Sequence, residues 1–225
     1  MNRREKIMDS ILSKIDHTIL KPDAAEAEVK RICDEAKQYG FTVVVVNPCW
    51  IPFCKKQLDG TDITIVTTLG FPLGQNLTET KVSECEHVIC AGAGEVDMVL
   101  NVGKLISGDE TYVYDDIKGV ADCCHKHGKI CKVILETCLL TDGQIVNACE
   151  IAEKAGADYV KTSTGFSSGG AAVETVRVMR KTCSPRVKIK ASGGIRTLAQ
   201  ARAMVEAGAD RLGTSAGVAI AGELT

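Results

Sequence analysis

Apolar and polar residues change period many times along this chain, and the changes come in a regular order. Short runs that are apolar throughout, or alternate in steps of two, read as strands. Longer stretches with apolar residues every three or four positions read as helices. The pattern predicts strands over residues 14–20, 41–47, 62–69, 95–101, 129–136, 157–162, 187–191 and 211–213. Helices are predicted over 22–39, 49–58, 78–90, 109–127, 141–154, 171–181, 197–206 and 215–221. A further amphipathic helix over 3–13, with Ile7, Ile11 and Leu12 on one side, precedes the first strand. Pro22 and Asp23 open the first long helix and Gly40 closes it, and Gly128 closes the helix over 109–127. The valines of 43–46 have no polar face at all, which is the signature of a strand buried on both sides.

Eight strands, each followed by a helix, with no linker or shift of composition, predict one α/β domain over residues 1–225. Three helix-to-strand junctions share an Ala-Gly-Ala core, at 91–93, 155–157 and 207–209, as repeated βα units would. The expected architecture is a TIM (β/α)8 barrel with a short extra N-terminal helix, and an open doubly wound sheet is the lesser alternative.

In a barrel, outward strand residues meet the helices and inward ones fill the centre. Strand four sets Val96, Met98 and Leu100 against Glu95, Asp97, Val99 and Asn101. Strand five groups Lys132, Ile134 and Glu136, and strand one groups Asp16 and Thr18. With the apolar faces outward, Asp16, Asp97, Lys132, Lys161 and Lys190 converge inside, whereas Lys188 reaches the bottom rim. Such a cluster is either a reactive site or an internal salt-bridge network without chemistry.

Two strands end alike. Residues 158–166, Asp-Tyr-Val-Lys-Thr-Ser-Thr-Gly-Phe, and 187–194, Val-Lys-Ile-Lys-Ala-Ser-Gly-Gly, each deliver a lysine to the C-terminal end and then a turn of small residues. A lone lysine there can snorkel to water. Two in consecutive strands, each next to an anion-binding turn, favour function. The loops 192–197 and 213–216 follow the last two strands, where barrels often hold a phosphate against glycine N–H groups and a helix N-terminus.

Composition narrows the classes. The chain is 45% hydrophobic and 25% charged with a formal net charge of −2, so there is no electrostatic case for nucleic acid or an acidic membrane surface. There is no leader-like apolar segment after the first charges and no run long enough to span a bilayer. Eleven cysteines occur without a C-x-x-C pair, and several, such as Cys33, Cys90 and Cys149, fall among apolar helix residues. This predicts buried reduced thiols and a cytoplasmic location. The histidines His17, His87, His125 and His127 show no metal-ligand spacing, and there is no dinucleotide or Walker glycine loop. No metal and no cofactor are expected.

The segments 16–18, 67–74, 95–99, 132–137, 160–166 and 190–196 resemble deoxyribose-phosphate aldolase, in the family's order and over nearly the whole chain. Lys-Thr-Ser-Thr-Gly at 161–165 is the most specific. The resemblance implies a class I, Schiff-base aldolase that reversibly cleaves 2-deoxy-D-ribose 5-phosphate to D-glyceraldehyde 3-phosphate and acetaldehyde, without metal, in deoxyribose phosphate catabolism. It makes Lys161 the Schiff-base lysine, Lys190 the second lysine and Asp97 the proton-shuttling aspartate. Asp16, Lys132, Thr164, Gly165, Gly193, Gly194, Gly213 and Ser215 are the expected substrate-binding residues. The partners expected are small sugar phosphate and aldehyde substrates, with no nucleic acid or membrane, and a homo-oligomer, dimer or tetramer. Some family members carry a lysine where this chain has Phe166, and some end in a tyrosine where this sequence closes on Thr225.

The chemistry sets a requirement. Lowering a lysine pKa from about 10.4 to about 7 takes roughly 4–5 kcal/mol against the charged form. A second ammonium about 6 Å away supplies roughly 3 kcal/mol at an effective dielectric near 20, which leaves partial burial to supply the rest. Two other functions fit the loops: an isomerase or synthase acting on a sugar phosphate, which would not need the lysine pair, and a non-catalytic sugar-phosphate sensor.

Overall fold

The structure, a computed structural model, describes residues 11–224. Most of the helix expected over 3–13 lies outside the described residues. Eight parallel strands close into a barrel in sequence order. They are β1 (Ile15–Ile19), β2 (Val43–Val46), β3 (Thr64–Leu69), β4 (Glu95–Val99), β5 (Ile130–Ile134), β6 (Tyr159–Lys161), β7 (Lys188–Ser192) and β8 (Arg211–Thr214). The helices are α1 (Glu26–Tyr39), α2 (Ile51–Gln57), α3 (Thr78–Ala91), α4 (Val102–Ile106), α5 (Glu110–Lys126), α6 (Asp142–Ala155), α7 (Val173–Thr182), α8 (Leu198–Glu206) and α9 (Gly217–Gly222). The open doubly wound alternative is excluded, because β1 pairs with both β2 and β8.

Three local expectations change. The first long helix starts at Glu26, after a turn through Pro22 and Asp23, with the Glu28 side chain accepting from the Ala25 N–H. The helix expected from residue 109 is preceded by the short α4, whose first turn is capped by the Asn101 side chain accepting from the Lys104 N–H. Cys90 lies in α3 as expected but is exposed, as are Cys49 and Cys138, while the other eight cysteines are buried; all eleven are free thiols. No described helix is long and apolar enough to cross a membrane.

The outward strand residues Ile15, Val44, Val46, Val96, Met98, Val133, Val160, Ile189 and Leu212 pack with the helices in one continuous apolar shell. The inside of the barrel is divided. Leu20, Val43, Val45 and Val66 form a small separate apolar cluster toward β2 and β3. The remaining strands fill the centre with Asp16, Asp97, Lys132 and Lys190, each fully buried, and Lys161, which is 3% exposed. The register sets these residues side by side: Asp97 opposite Lys132, Lys161 opposite Lys190, and Asp16 opposite Gly213. Gly213 has a steric reason to lack a side chain, since a Cβ there would lie 2.8 Å from the Ser192 Cβ and 3.2 Å from the Lys190 Cε. Lys188 is exposed at the start of β7, with its ammonium 5.7 Å from the Tyr159 ring centre.

Candidate active site

The inward face of a parallel strand brings every second residue to the barrel axis, and here seven of those residues are charged, the five expected together with Glu95 and Arg211. Lys161 donates to Asp97 Oδ2 at 2.8 Å. Lys190 donates to the same oxygen at 2.8 Å, and Lys132 reaches Asp97 Oδ1 at 2.9 Å. Lys190 also pairs with Asp16 at 2.5 Å, and Lys132 with Glu95 at 2.5 Å. Arg211 completes the layer, with its Nε 2.9 Å from Asp16 and its Nη2 3.2 Å from Glu95. Four cations face three carboxylates in a layer that is almost wholly buried. Most members have two partners, but Lys161 pairs with Asp97 alone among the described residues, so removing Asp97 would strand a buried charge at a cost of about 3–5 kcal/mol.

Burial and charge act on these groups in opposite directions. Burial would raise the Asp97 carboxyl, but the ammonium groups of Lys132, Lys161 and Lys190 together outweigh it and hold the acid well below the usual carboxylate range. Asp16 is likewise lowered, with Lys190, Lys132 and Arg211 overcoming its burial. Lys132 is pushed above the usual lysine range, because Asp97, Glu95 and Asp16 outweigh its burial. Lys161 moves the other way, to about 8. Its burial is the largest cause; Asp97 opposes the shift, and Lys190 and then Lys132 add to it. The second ammonium therefore contributes as expected, but desolvation rather than repulsion is the leading cause.

Above this layer lies a cavity of about 560 Å³ at the C-terminal ends of the strands. Its wall includes Lys161, Thr164, Gly165, Gly193, Gly194, Gly213 and Ser215. Of the five converging charges, Lys161 is the one on this wall. Asp97 and Lys190 lie beneath it. Asp16 and Lys132, expected to touch substrate, are fully buried in the layer below and do not line the cavity. Their contacts are with Lys190, Arg211, Asp97 and Glu95, so the structure gives them a supporting position instead.

The walls are held by side-chain bonds to backbone. Thr162 Oγ1 donates to the Ser192 carbonyl at 3.0 Å and accepts from the Ser192 N–H at 3.0 Å, tying the loops after β6 and β7 together. Ser192 Oγ donates to the Ser163 carbonyl at 2.6 Å. Glu136, buried at the end of β5, accepts from both the N–H and the hydroxyl of Thr164. Its φ of +55° is in the left-handed region, which is costly for a glutamate. That observation marks Glu136 as a brace for the turn that follows Lys161. Gly193 and Gly194 have φ of +89° and +79°, so this turn needs glycine for its backbone path.

Several site residues were missed in the sequence. Lys21 and Arg196 line the cavity and are exposed, so they bring positive charge to the wall that carries Gly193 and Gly194. Both follow directly after strand ends or the Gly-Gly turn, a signal that position alone could have supplied. Arg211 and Glu95 in the buried layer are 116 residues apart in sequence, and only closure of the barrel brings them together. Phe166 is half exposed on the cavity wall and meets Phe71 edge-on, with ring centres 5.2 Å apart.

Comparison with known proteins agrees with this geometry. The DeoC/LacD family aldolase model matches residues 10–222. A curated deoxyribose-phosphate aldolase of Enterococcus faecalis is 55% identical over 206 residues, covering 92% of this chain and 93% of its own. That of a Geobacillus strain is 53% identical over 212 residues, covering 94% of this chain and 95% of its own. The solved deoxyribose phosphate aldolase of Aeropyrum pernix, described as a tetramer, is 34% identical and superposes with a TM-score of 0.89, covering 96% of this chain and 91% of that one.

Proposed function

The chain belongs to the DeoC/LacD aldolase family, and from that premise we propose that it reversibly cleaves 2-deoxy-D-ribose 5-phosphate to D-glyceraldehyde 3-phosphate and acetaldehyde through a Schiff base on Lys161. The observation that carries this reading is the position of Lys161. It is the charged side chain that joins the buried layer to the cavity, and its pKa near 8 leaves about a tenth of it as free amine at pH 7.

The amine attacks the C1 aldehyde carbon of the open-chain sugar. The carbinolamine loses its hydroxyl as water and becomes an iminium. Breakage of the C2–C3 bond then sends its electron pair into the iminium and leaves an enamine on the lysine. The C3 hydroxyl gives up its proton and becomes the aldehyde of glyceraldehyde 3-phosphate. Protonation of the enamine at C2 and hydrolysis release acetaldehyde. The iminium is the electron sink, so this chemistry asks for no metal or cofactor. Asp97 and Lys190, one carboxylate oxygen apart beneath the nucleophile, are the proton-moving pair of the carbinolamine steps. Asp16 pairs with Lys190 and Lys132 with Asp97, contacts that hold that pair in position.

In this reading the phosphate binds to backbone N–H groups around Gly193, Gly194, Gly213 and Ser215, with Arg196 and Lys21, which also line the cavity, as countercharges. Phe166 stands where some relatives have a lysine, and its ring walls the channel rather than binding the anion. We read residues 1–225 as one catalytic barrel, working in the cytoplasm in deoxyribose phosphate breakdown and assembled as a homodimer or homotetramer. The free state of all eleven thiols supports the cytoplasmic location, and the tetrameric relative supports assembly.

Turnover tests the reading. The purified enzyme should convert deoxyribose 5-phosphate to the two aldehydes, detected by a coupled reduction, and should run the synthesis from the same pair. Absence of cleavage, with the phosphate still bound in the cavity, would favour a sugar-phosphate sensor.

A further inference from the structure

A second cluster of chemistry-bearing side chains lies on the helix layer, at the opposite end of the barrel from the cavity. Strands and helices run antiparallel in each βα unit, so the C-terminal turns of α3 and α5 lie at the end of the barrel away from the substrate. Glu86 sits near the end of α3, and Cys123 and His127 near the end of α5. Cys123 and His127 are four residues apart and so share one face of their helix. Cys123 Sγ donates to Glu86 Oε2 at 3.3 Å, and His127 Nε2 lies 2.9 Å from Glu86 Oε1. The sulfur, the imidazole nitrogen and the carboxylate oxygen all lie within 4.8 Å of one another.

We propose that Glu86, Cys123 and His127 form a divalent-cation site of the zinc class, which clamps α3 to α5 and takes no part in the aldol reaction. The three donor types decide the class. A thiolate and an imidazole select a borderline-soft ion such as zinc over magnesium or calcium, and one carboxylate completes a three-ligand set with a fourth position for water. The spacing also fits. Tetrahedral bonds of about 2.3 Å to sulfur and about 2.0–2.2 Å to nitrogen and oxygen put the donors roughly 3.3–3.6 Å apart, so small side-chain rotations suffice. Cys123 is buried and the other two are partly exposed, so the site has one anchored ligand and a route for the ion.

Binding exchanges a proton for a metal bond. The Cys123 S–H, held up to about 12 by burial, by Cys85 and by Glu86, gives its proton to water, and the sulfur lone pair takes the ion. His127 binds through the lone pair of its neutral ring, and Glu86 turns one oxygen from hydrogen bonding to coordination. The sequence showed no such spacing because Glu86 is 37 residues from Cys123 and 41 from His127.

Cobalt(II) titration of the metal-stripped full-length enzyme tests the proposal. The wild type should bind one Co²⁺ per chain with thiolate-to-cobalt charge-transfer absorption and tetrahedral d–d bands, and Zn²⁺ should displace it. At a hundredfold excess of Zn²⁺ over Kd, Tm should rise by about 5–11 °C. Cys123→Ser should abolish the charge-transfer band, and His127→Gln should weaken binding by about 100-fold. His125→Gln is the control, since His125 pairs with Asp158 instead. Aldol cleavage should be unchanged in all three variants, which also shows that each folds. Wild-type affinity weaker than about 1 mM, or Co²⁺ spectra in Cys123→Ser and His127→Gln like those of the wild type, would overturn the site.

Discussion

Lys161 and Lys190 are held by a single oxygen: Asp97 Oδ2 accepts from each of them at 2.8 Å. Lys132 keeps Glu95 and Lys190 keeps Asp16 if Asp97 is neutralised, but Lys161 pairs with no other carboxylate among the described residues. Asp97 also opposes the lowering of the Lys161 pKa. Asp97→Asn should therefore move the midpoint of adduct formation below about 8, not above it. Turnover should fall by about 10²–10⁴-fold through loss of the proton relay. Stability should fall by about 3–5 kcal/mol, because buried ammonium groups lose their shared anion. Stopped-flow adduct formation across pH and urea unfolding measure these effects separately. An upward shift of the midpoint would contradict the electrostatics.

The Lys161 ammonium is costly to the fold. Its pKa is lowered from 10.5 to about 8, so below pH 8 the folded protein holds an ammonium in a place that disfavours it. Between about 8 and 10.5 the unfolded chain binds the extra proton, and stability rises with pH across that window. The full effect is about 3 kcal/mol at 1.36 kcal/mol per unit. Lys161→Leu should remove this dependence. Its stability relative to wild type should be most favourable at pH 7 and should decline from pH 8 to 9.5. Urea unfolding of both proteins at several pH values gives the difference, and a constant difference would mean that Lys161 is not desolvated in the folded state.

Lys190 contributes charge and, in the proposed mechanism, a proton. Lys190→Leu removes one repulsion, so the Lys161 pKa should rise above about 8. Burial, the larger cause, remains, and should keep it below 10.5. Adduct formation should be slow at pH 7 and recover partly by pH 9.5. Lys190→Arg keeps the charge but not the relay, and should keep the wild-type midpoint with a lower rate. Equal inactivity of a folded Lys190→Leu at both pH values would leave only the proton-transfer role.

Arg196 and Lys21 should matter only for phosphorylated substrate. Arg196→Ala and Lys21→Ala are each expected to raise KM for deoxyribose 5-phosphate about tenfold, the loss of one charge-assisted contact. KM for unphosphorylated deoxyribose should stay nearly constant. Equal losses on both sugars would place the phosphate elsewhere in the cavity.

Much of this site was legible from strand alternation. A period of two put Asp97, Lys132 and Lys190 on inward faces, and the structure places them there. Alternation gives direction but not depth. It could not tell that Asp16 and Lys132 stop one layer below the cavity while Lys161 reaches its wall, because depth depends on the stagger of strands around the barrel. Charge arithmetic on two lysines gave the right sign for the Lys161 shift, but desolvation depends on the whole enclosure and proved the larger influence. The short α4 was hidden because five residues do not establish a period. The Arg211–Glu95 contact joins distant segments and leaves no local trace, and in the Glu86–Cys123–His127 cluster only the Cys123–His127 spacing is local, Glu86 coming from another helix. The left-handed Glu136 was equally hidden, since nothing in a glutamate's neighbours announces a positive φ.

If Lys161 is the nucleophile, covalent trapping will find the substrate carbon on it. The enzyme is incubated with acetaldehyde, reduced with borohydride, digested and mapped by mass spectrometry. One two-carbon adduct per chain is expected, on the peptide carrying Lys161, and none in Lys161→Leu. An adduct mapped to Lys190 or Lys132 in the wild type would contradict it.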